Sequence, residues 1–401
     1  MEIAVDNYEV KGFCPTPLNP IISGDGLLAR IYPKLGLLSS SQIFDLSKIV
    51  AEYGNGEINL SNRSGLQIRG LSETNYSAFL NRLIDIQLVK NGQTFFNITT
   101  TPFWSDKEKY LDIYEQTQQY LSRLVELPDK YSVSIDLENS TSLNGISSDI
   151  RVEKYSENQF LVRADGDDKG FLAPLNEVPK LIYQIAEWFL NSGGANLKGG
   201  RMKSHILSGV DVPKFTSKRV PPEKKVFIPK LGKTKIGLLT AVAFGEISTS
   251  LLLDIFKYQA NIRLTPWRMI LIEGLNDIQI SELIVDPKDP LLKFSACVGR
   301  PRCLQAKSDV RQLARSVANN LEQPLGAKYY SHNEALSFHF SGCSKGCAYP
   351  TKADVTIVGA DIKTYNIIYD GSAYDEPKLC GIKEDDIIAN SSDYLKVLND
   401  T

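Results

Sequence analysis

Cys297 and Cys303 stand in the run SACVGRPRC with five residues between them, and Cys343 and Cys347 stand in FSGCSKGCAYP with three between them. A stretch of 39 residues separates the two pairs. Four thiols so arranged can supply the corners of a 4Fe-4S cluster, which is held by thiolates on loops that wrap it. Gly342 and Gly346 each precede a cysteine, where the lack of a Cβ lets backbone approach a bulky inorganic core. Lys345, between that pair, can offset the negative charge of a thiolate-ligated cluster. The alternatives are a zinc site, two disulfides, or buried cysteines acting as small apolar residues. Structural zinc favours about two to four intervening residues, which a gap of five fits poorly. Disulfides belong to oxidising compartments and small domains. Cys14 and Cys380 lie far from the pairs and read as structural.

The chain that must position these thiols has 401 residues, enough for two or three domains and a substantial core. Its 42% apolar and 23% charged residues and net charge of −2 are ordinary for a soluble globular protein and give no nucleic-acid footprint. The opening MEIAVDNYEVKGFCP shows neither a basic n-region nor an apolar h-region, so no secretory signal is expected. No apolar run approaches the roughly 18 residues of a membrane span. The expectation is a cytoplasmic, reducing setting in which thiolates stay available for metal.

Two segments repeat one another. GLLARIYPKLG from Gly26 leads to LSNRSGLQIRGL at Leu60 to Leu71, and GLLTAVAFGEI from Gly237 leads to LTPWRMILIEGL at Leu264 to Leu275. Each half reads as strand, helix, strand, with SSQIFDLSKIVAEYG and STSLLLDIFKYQ as the helices. Further helices are expected over roughly 105–126 and 174–191, and NSGGANLKGGRMK (Asn191 to Lys203) reads as a linker. No strand-GxGxxG-helix unit and no GxxxxGK[ST] loop occurs, so electrons are expected to come from a partner. The histidines are His205, His332 and His339, without the spacing of a 2-His-1-carboxylate site.

The cysteine pairs, the duplicated halves and the N-R-x-x-x-Q-x-R run (Asn62, Arg63, Gln67, Arg69) together resemble the sirohaem-type nitrite and sulfite reductase superfamily. Within it the chain looks most like the precorrin-3B synthase family of the aerobic cobalamin pathway. HFSGCSKGCAYPTKADVTIVG is close to that family's H-x-S-G-C-x-K-G-C-A-H-P segment, and LTPWR at Leu264 and LVRADG at Leu161 are similar to it too. The resemblance spans the chain from about Gly12 to Asp375. Sulfite reductases line their oxyanion site with two arginines and two lysines. Arg63 and Lys130 match one of each, but Ser132 stands in the second lysine's place and Phe96 in the second arginine's. Tyr349 replaces a histidine usual in the family.

The resemblance implies an α+β fold of two ferredoxin-like halves around a pseudo-two-fold axis, with two α/β domains beside them, one carrying the cluster. The expected segments are 10–75 and 206–282 for the halves, the latter with its linker, then 76–205 for the first α/β domain and 283–395 for the cluster domain. It implies oxygen-dependent oxidation of precorrin-3A to precorrin-3B. Arg63 and Lys130 would be catalytic. Arg63, Gln67, Arg69, Arg263 and Arg268 would bind the tetrapyrrole, since arginine pairs carboxylates bidentately. Cys297, Cys303, Cys343 and Cys347 would hold the 4Fe-4S cluster, with a second, non-haem iron where dioxygen is activated. The partners would be the tetrapyrrole, dioxygen and an external donor such as an NADH-linked reductase or a ferredoxin, with no nucleic acid and no membrane. The alternatives are a sirohaem-dependent nitrite or sulfite reductase and a non-catalytic electron carrier. The carrier has no use for the array of Arg63, Gln67 and Arg69.

Overall fold

The computed structural model describes residues 14–90, 96–124, 126–139, 142–196, 200–216, 218–223, 227, 229–321 and 337–395. His332 lies outside the described residues. The strands fall into four sheets with helices against them, an α+β arrangement.

The first sheet has the order Ile21–Ser23, Gly26–Ile31, Leu66–Leu71, Glu57–Leu60, Glu246–Ser248, and all its pairs are antiparallel. The second runs Gly232–Lys233, Gly237–Val242, Met269–Glu273, Ile262–Leu264, Leu37–Leu38, likewise antiparallel. Each sheet therefore ends on a short strand donated by the other half of the sequence. Glu246, Ile247 and Ser248 pair with Asn59, Ile58 and Glu57, while Leu37 and Leu38 pair with Arg263 and Ile262. The segments 10–75 and 206–282 are thus hydrogen-bonded into one another's sheets.

The two sheets follow one plan down to their unusual backbone angles. Leu35 and Phe244 (φ 56° and 58°), Gly36 and Gly245 (67° and 72°), Ser64 and Arg268 (54° and 59°), and Gly70 and Gly274 (71° and 73°) are left-handed at matching places. A side chain at φ > 0 is costly, so its recurrence marks a turn that the fold requires. After each donated strand a helix begins on a serine cap: Ser39 Oγ accepts from Gln42 N (3.2 Å), and Ser248 Oγ from Leu251 N (2.9 Å). The helices Ser40–Tyr53 and Thr249–Phe256 meet through stacked Phe44 and Phe256, 4.7 Å between centroids. Ile43, Ile49, Ile58, Ile68, Leu251 and Ile262 share one buried core drawn from both halves.

The third sheet, Arg219–Val220, Gly170–Ala173, Phe160–Ala164, Ile150–Lys154, Ser132–Asp136, Asn97–Thr100, is parallel between its last three strands and antiparallel elsewhere. Helices Lys107–Leu121 and Val178–Asn191 contribute to its core. The fourth sheet, Phe294–Ala296, Phe338–Ser341, Ala353–Asp361, Thr364–Gly371, Leu379–Lys383, begins with three parallel strands. Phe338 and Phe340 pack with Val310, Leu313 and Val317 of helix Val310–Asn319, so alternation turns His339 and Ser341 to the other face. Among the described residues no helix is long and apolar enough to cross a membrane.

The exchange joins the first two sheets in one cooperative unit. Ile58 is fully buried and pairs with Ile68 on one side and Ile247 on the other. Ile58→Ala is expected to cost about 2–5 kcal/mol, read as a lower urea midpoint at unchanged slope. Both sheets should unfold together, and separate transitions for probes placed in each would contradict this.

Candidate functional site

Cys297 follows the strand Phe294–Ala296, and Cys343 and Cys347 follow its parallel neighbour Phe338–Ser341. Parallel neighbours end at the same edge, so loops distant in sequence leave the sheet side by side. The loops are then tied together. Cys297 N donates to Phe340 O (3.2 Å), Lys307 N to Gly342 O (2.8 Å), and Gly342 N to Cys297 Sγ (3.1 Å). A Cβ on Gly342 would stand 2.7 Å from Ala306 Cβ, so this glycine lets the two cysteine loops close on each other. Gly346 is needed for its left-handed φ of 63°.

All four cysteines are free thiols that line a single cavity. Burial raises the Cys297 pKa, and burial followed by the neighbouring Cys343 and Cys303 raises that of Cys347. Thiolates here therefore need positive charge beside them. Among the described residues no three of His, Cys, Asp and Glu stand close enough to hold one metal ion. Neither described histidine lines the cavity. His205 bonds Ser192 Oγ (2.7 Å) beside Trp188 and Phe189. His339 is fully buried 6.0 Å from the Tyr349 ring, with no hydrogen-bond partner for either nitrogen among the described residues and a pKa lowered to about 4 by burial and then by Arg268. The described histidines thus give the expected second iron no ligand at the cavity.

The cavity, about 1240 Å³, is bounded by the first sheet, the cysteine loops and residues of the third-sheet unit. Arg69, Arg268, Arg311 and Lys345 line it with the cysteines; Arg30, Arg63, Lys130 and Arg201 line the remainder, and Asp129 is its one carboxylate among the described residues. Arg63 sits in the turn before the strand Leu66–Leu71, where Ser64 is left-handed and Ser61 N bonds Gly65 O (2.8 Å), so Arg63 precedes the strand that carries Gln67 and Arg69. Its Nη1 donates to Lys130 O (3.0 Å). The Lys130 side chain is exposed at the cavity. Gln67, with its amide oriented to satisfy both partners, accepts from Arg30 Nη2 at 2.8 Å. Arg268 Nη2 donates to Ala348 O (3.3 Å), and burial lowers the Arg268 pKa while Cys297 opposes that shift.

Two expected substrate arginines are used differently. Arg263 does not reach the cavity: it pairs with Glu273 (2.6 Å), donates to the carbonyls of Pro102 (2.9 Å) and Trp104 (2.6 Å), and lies 3.2 Å over the Trp104 ring. It fastens the second sheet to the segment after Asn97–Thr100. Arg69 lines the cavity, but its Nη2 donates to Ser23 Oγ and to Arg302 O (2.7 Å), and its Nε faces Asp25 (3.5 Å). Arg302 O also accepts from Ser23 Oγ (2.8 Å) and Gly24 N (3.1 Å), and its side chain pairs with Glu57. Arg69 therefore clamps the Cys303 loop to the first sheet, so the Cys303 loop depends on this arginine.

Ser132 is buried and absent from the cavity wall; its N and Oγ donate to Asp149 Oδ2 (2.9 and 3.4 Å). Phe96 does line the cavity. Sequence reading missed Arg201, inside the expected linker. Gly200, at φ 49°, packs where a Cβ would stand 2.6 Å from Pro128 Cγ, and the next two residues turn inward, with Met202 fully buried. The signal was a Gly-Gly-Arg-Met run, in which an apolar residue follows the glycines.

The description "Nitrite/Sulfite reductase ferredoxin-like half domain" matches residues 20–86. The chain is 23% identical to a precorrin-3B synthase from Sinorhizobium sp, covering 90% of this chain and 83% of that one. It is 24% identical to a ferredoxin–nitrite reductase from Synechococcus elongatus, over 84% of this chain and 77% of the other. The solved structure of the Mycobacterium tuberculosis NirA protein shares the fold at a TM-score of 0.58 and 15% identity, covering 92% of this chain and 79% of that one. Along nine-tenths of its length the chain is similar to precorrin-3B synthase, and residues 20–86 match the ferredoxin-like half domain of the nitrite and sulfite reductases.

Proposed function

We propose that the chain is an oxidoreductase that binds a carboxylate-bearing tetrapyrrole in the cavity, against a 4Fe-4S cluster held by Cys297, Cys303, Cys343 and Cys347. The observation that carries this reading is a single cavity lined by the four free thiols of the two pairs together with, among the described residues, eight arginines and lysines. The similarity to precorrin-3B synthase supports precorrin-3A as substrate. In that reaction one atom of dioxygen becomes the hydroxyl at C-20 and the ring A acetate closes to a γ-lactone. The other oxygen atom leaves as water, with two electrons from an external donor. The cluster, when bound, supplies single-electron relay.

The chain's own residues bind, orient and shield. Lys345, Arg268 and Arg311 surround the thiols with positive charge. Arg63 and Lys130 face the open part of the cavity, where a carboxylate or a developing oxyanion meets charge-assisted donors. The two repeats act as duplicated ferredoxin-like halves whose sheets frame the macrocycle.

A sirohaem-dependent nitrite or sulfite reductase is the second reading, and one observation favours it. Arg201 brings to the cavity a cation that Ser132 does not provide, so the wall is less depleted of charge than the sequence suggested. Optical spectra separate the readings: bound sirohaem gives strong Soret and red bands, and a cluster alone gives a broad shoulder.

Anaerobically prepared protein should contain about four irons and four acid-labile sulfides per chain, and lose them in Cys297→Ser. Stoichiometric zinc without sulfide would overturn the cluster. Turnover of precorrin-3A with dioxygen and a reductant tests the reaction; six-electron reduction of sulfite or nitrite by protein holding sirohaem would replace it with the second reading. Arg69→Gln should loosen the Cys303 loop, so that the cluster's visible absorbance bleaches faster in air than in the unaltered protein. Bleaching at an unchanged rate would show that the clamp does not support the cluster.

A further inference from the structure

Ser147 is shared by two guanidinium groups that carry the same charge. Arg201 Nη2 donates to Ser147 Oγ at 3.1 Å, and Arg63 Nη2 donates to the same oxygen at 3.4 Å. Like charges brought together in a half-buried setting repel, and burial followed by Arg201 lowers the Arg63 pKa. The nearby carboxylate, Asp149, pairs directly with only one of them, Arg201, and acts on Arg63 from a longer distance, as does Tyr32. Asp149 is fully buried and receives Arg201 Nε (2.9 Å), Met202 N (2.9 Å), Ser132 N (2.9 Å) and Ser132 Oγ (3.4 Å). Both its oxygens are thus committed, and its charge is matched by Arg201. Among the described residues Arg63 has no carboxylate within ion-pair distance; its other contact is the Lys130 carbonyl. Both guanidinium groups line the cavity.

We propose that Arg63 and Arg201, bridged by Ser147 and braced by Asp149, form a cleft that grips one planar oxyanion. Under the tetrapyrrole reading, on which this assignment of ligand rests, that oxyanion is a carboxylate side chain of the macrocycle; a free small anion such as nitrite has the same chemistry. Asp149 stands behind Arg201, orienting its fork through Nε, and Ser147 fixes the spacing of the two groups. The remaining N–H donors of both arginines have no acceptor among the described residues, so a two-oxygen acceptor between them accounts for the charge and the donors together.

The test titrates uroporphyrin III by fluorescence, and sodium nitrite by calorimetry, into the cluster-containing protein and its variants. Arg63→Gln breaks no ion pair and should weaken uroporphyrin binding by about 10- to 100-fold. Arg201→Gln should do the same. Because it strips a buried carboxylate of its partner, Arg201→Lys and Ser147→Ala are measured beside it, and both should bind more weakly than the unaltered protein while keeping its unfolding midpoint more nearly. Unchanged uroporphyrin affinity in both Arg63→Gln and Ser147→Ala would overturn the cleft and leave the tetrapyrrole reading standing. Nitrite binding that is lost in Arg63→Gln, without any uroporphyrin binding, would support the cleft and overturn the tetrapyrrole reading. Failure of the unaltered protein to bind either probe would overturn both.

Discussion

The backbone carbonyl of Arg302 is the point on which the site hangs. It accepts from Arg69, Ser23 and Gly24 of the first sheet, and the residue after it is Cys303. A carbonyl offers two lone pairs, so three donors saturate it, and removing the loop would strand buried donors at about 1–3 kcal/mol each. The Arg302 side chain repeats the attachment through Glu57, and Glu246 beside it holds Arg311 at 2.8 Å on the helix beneath the cysteine sheet. Glu57 and Glu246 are neighbours only because the second half donates its short strand to the first sheet, with Ser248 opposite Glu57. Burial, and then the nearby Glu246, raises the Glu57 pKa. The strand exchange thus builds the acidic patch, the patch holds two arginines, and the arginines place the thiols.

Charge is distributed asymmetrically about the cavity. Arg69, Arg63, Arg268 and Arg311 are all depressed in pKa chiefly by burial, a sign that each is partly stripped of water. The acids that stabilise several of them, Asp25 at Arg69, Glu246 at Arg311 and the more distant Asp149 at Arg63, stand behind the wall. Carboxylates in that position orient the guanidinium groups without neutralising the inner surface. A buried cation of this kind is tolerated where an anion or a thiolate-ligated cluster completes the pairing.

The sequence made the local features legible. Apolar alternation marked the strands at Gly26, Leu66, Gly237 and Met269, and the gap-free match of Leu60 to Leu71 with Leu264 to Leu275 agrees with left-handed Ser64 and Arg268 at the same offset. Cysteine spacing marked the thiols that meet at the cavity. Roles fixed by distant contacts stayed hidden. Arg69 and Arg263 both look like free arginines on alternating strands, yet one holds a carbonyl 233 residues away and the other carbonyls 161 and 159 away. The strand exchange was invisible for the same reason, since Leu37–Leu38 and Glu246–Ser248 are too short to carry a periodic signal. Arg201 was overlooked because glycines around it read as a linker, although Gly200 is there to pack against Pro128.

Ser132 and Arg201 are linked through one carboxylate. Asp149 offers Oδ2 to Ser132 and Oδ1 to Arg201, so a long cation at position 132 would compete with Arg201 for the same partner. A small hydroxyl at 132 leaves Asp149 free to draw the arginine in from the segment after Gly200. The exchange alters the shape of the positive charge as well as its origin. A lysine presents a compact, rotatable ammonium, whereas an arginine presents a rigid planar fork whose direction its Nε partner sets. Two such forks sharing Ser147 favour a planar two-oxygen acceptor over a pyramidal oxyanion. The substitution that looked from sequence like a lost charge is therefore accompanied, in the folded chain, by an arginine brought to the cavity through the same carboxylate.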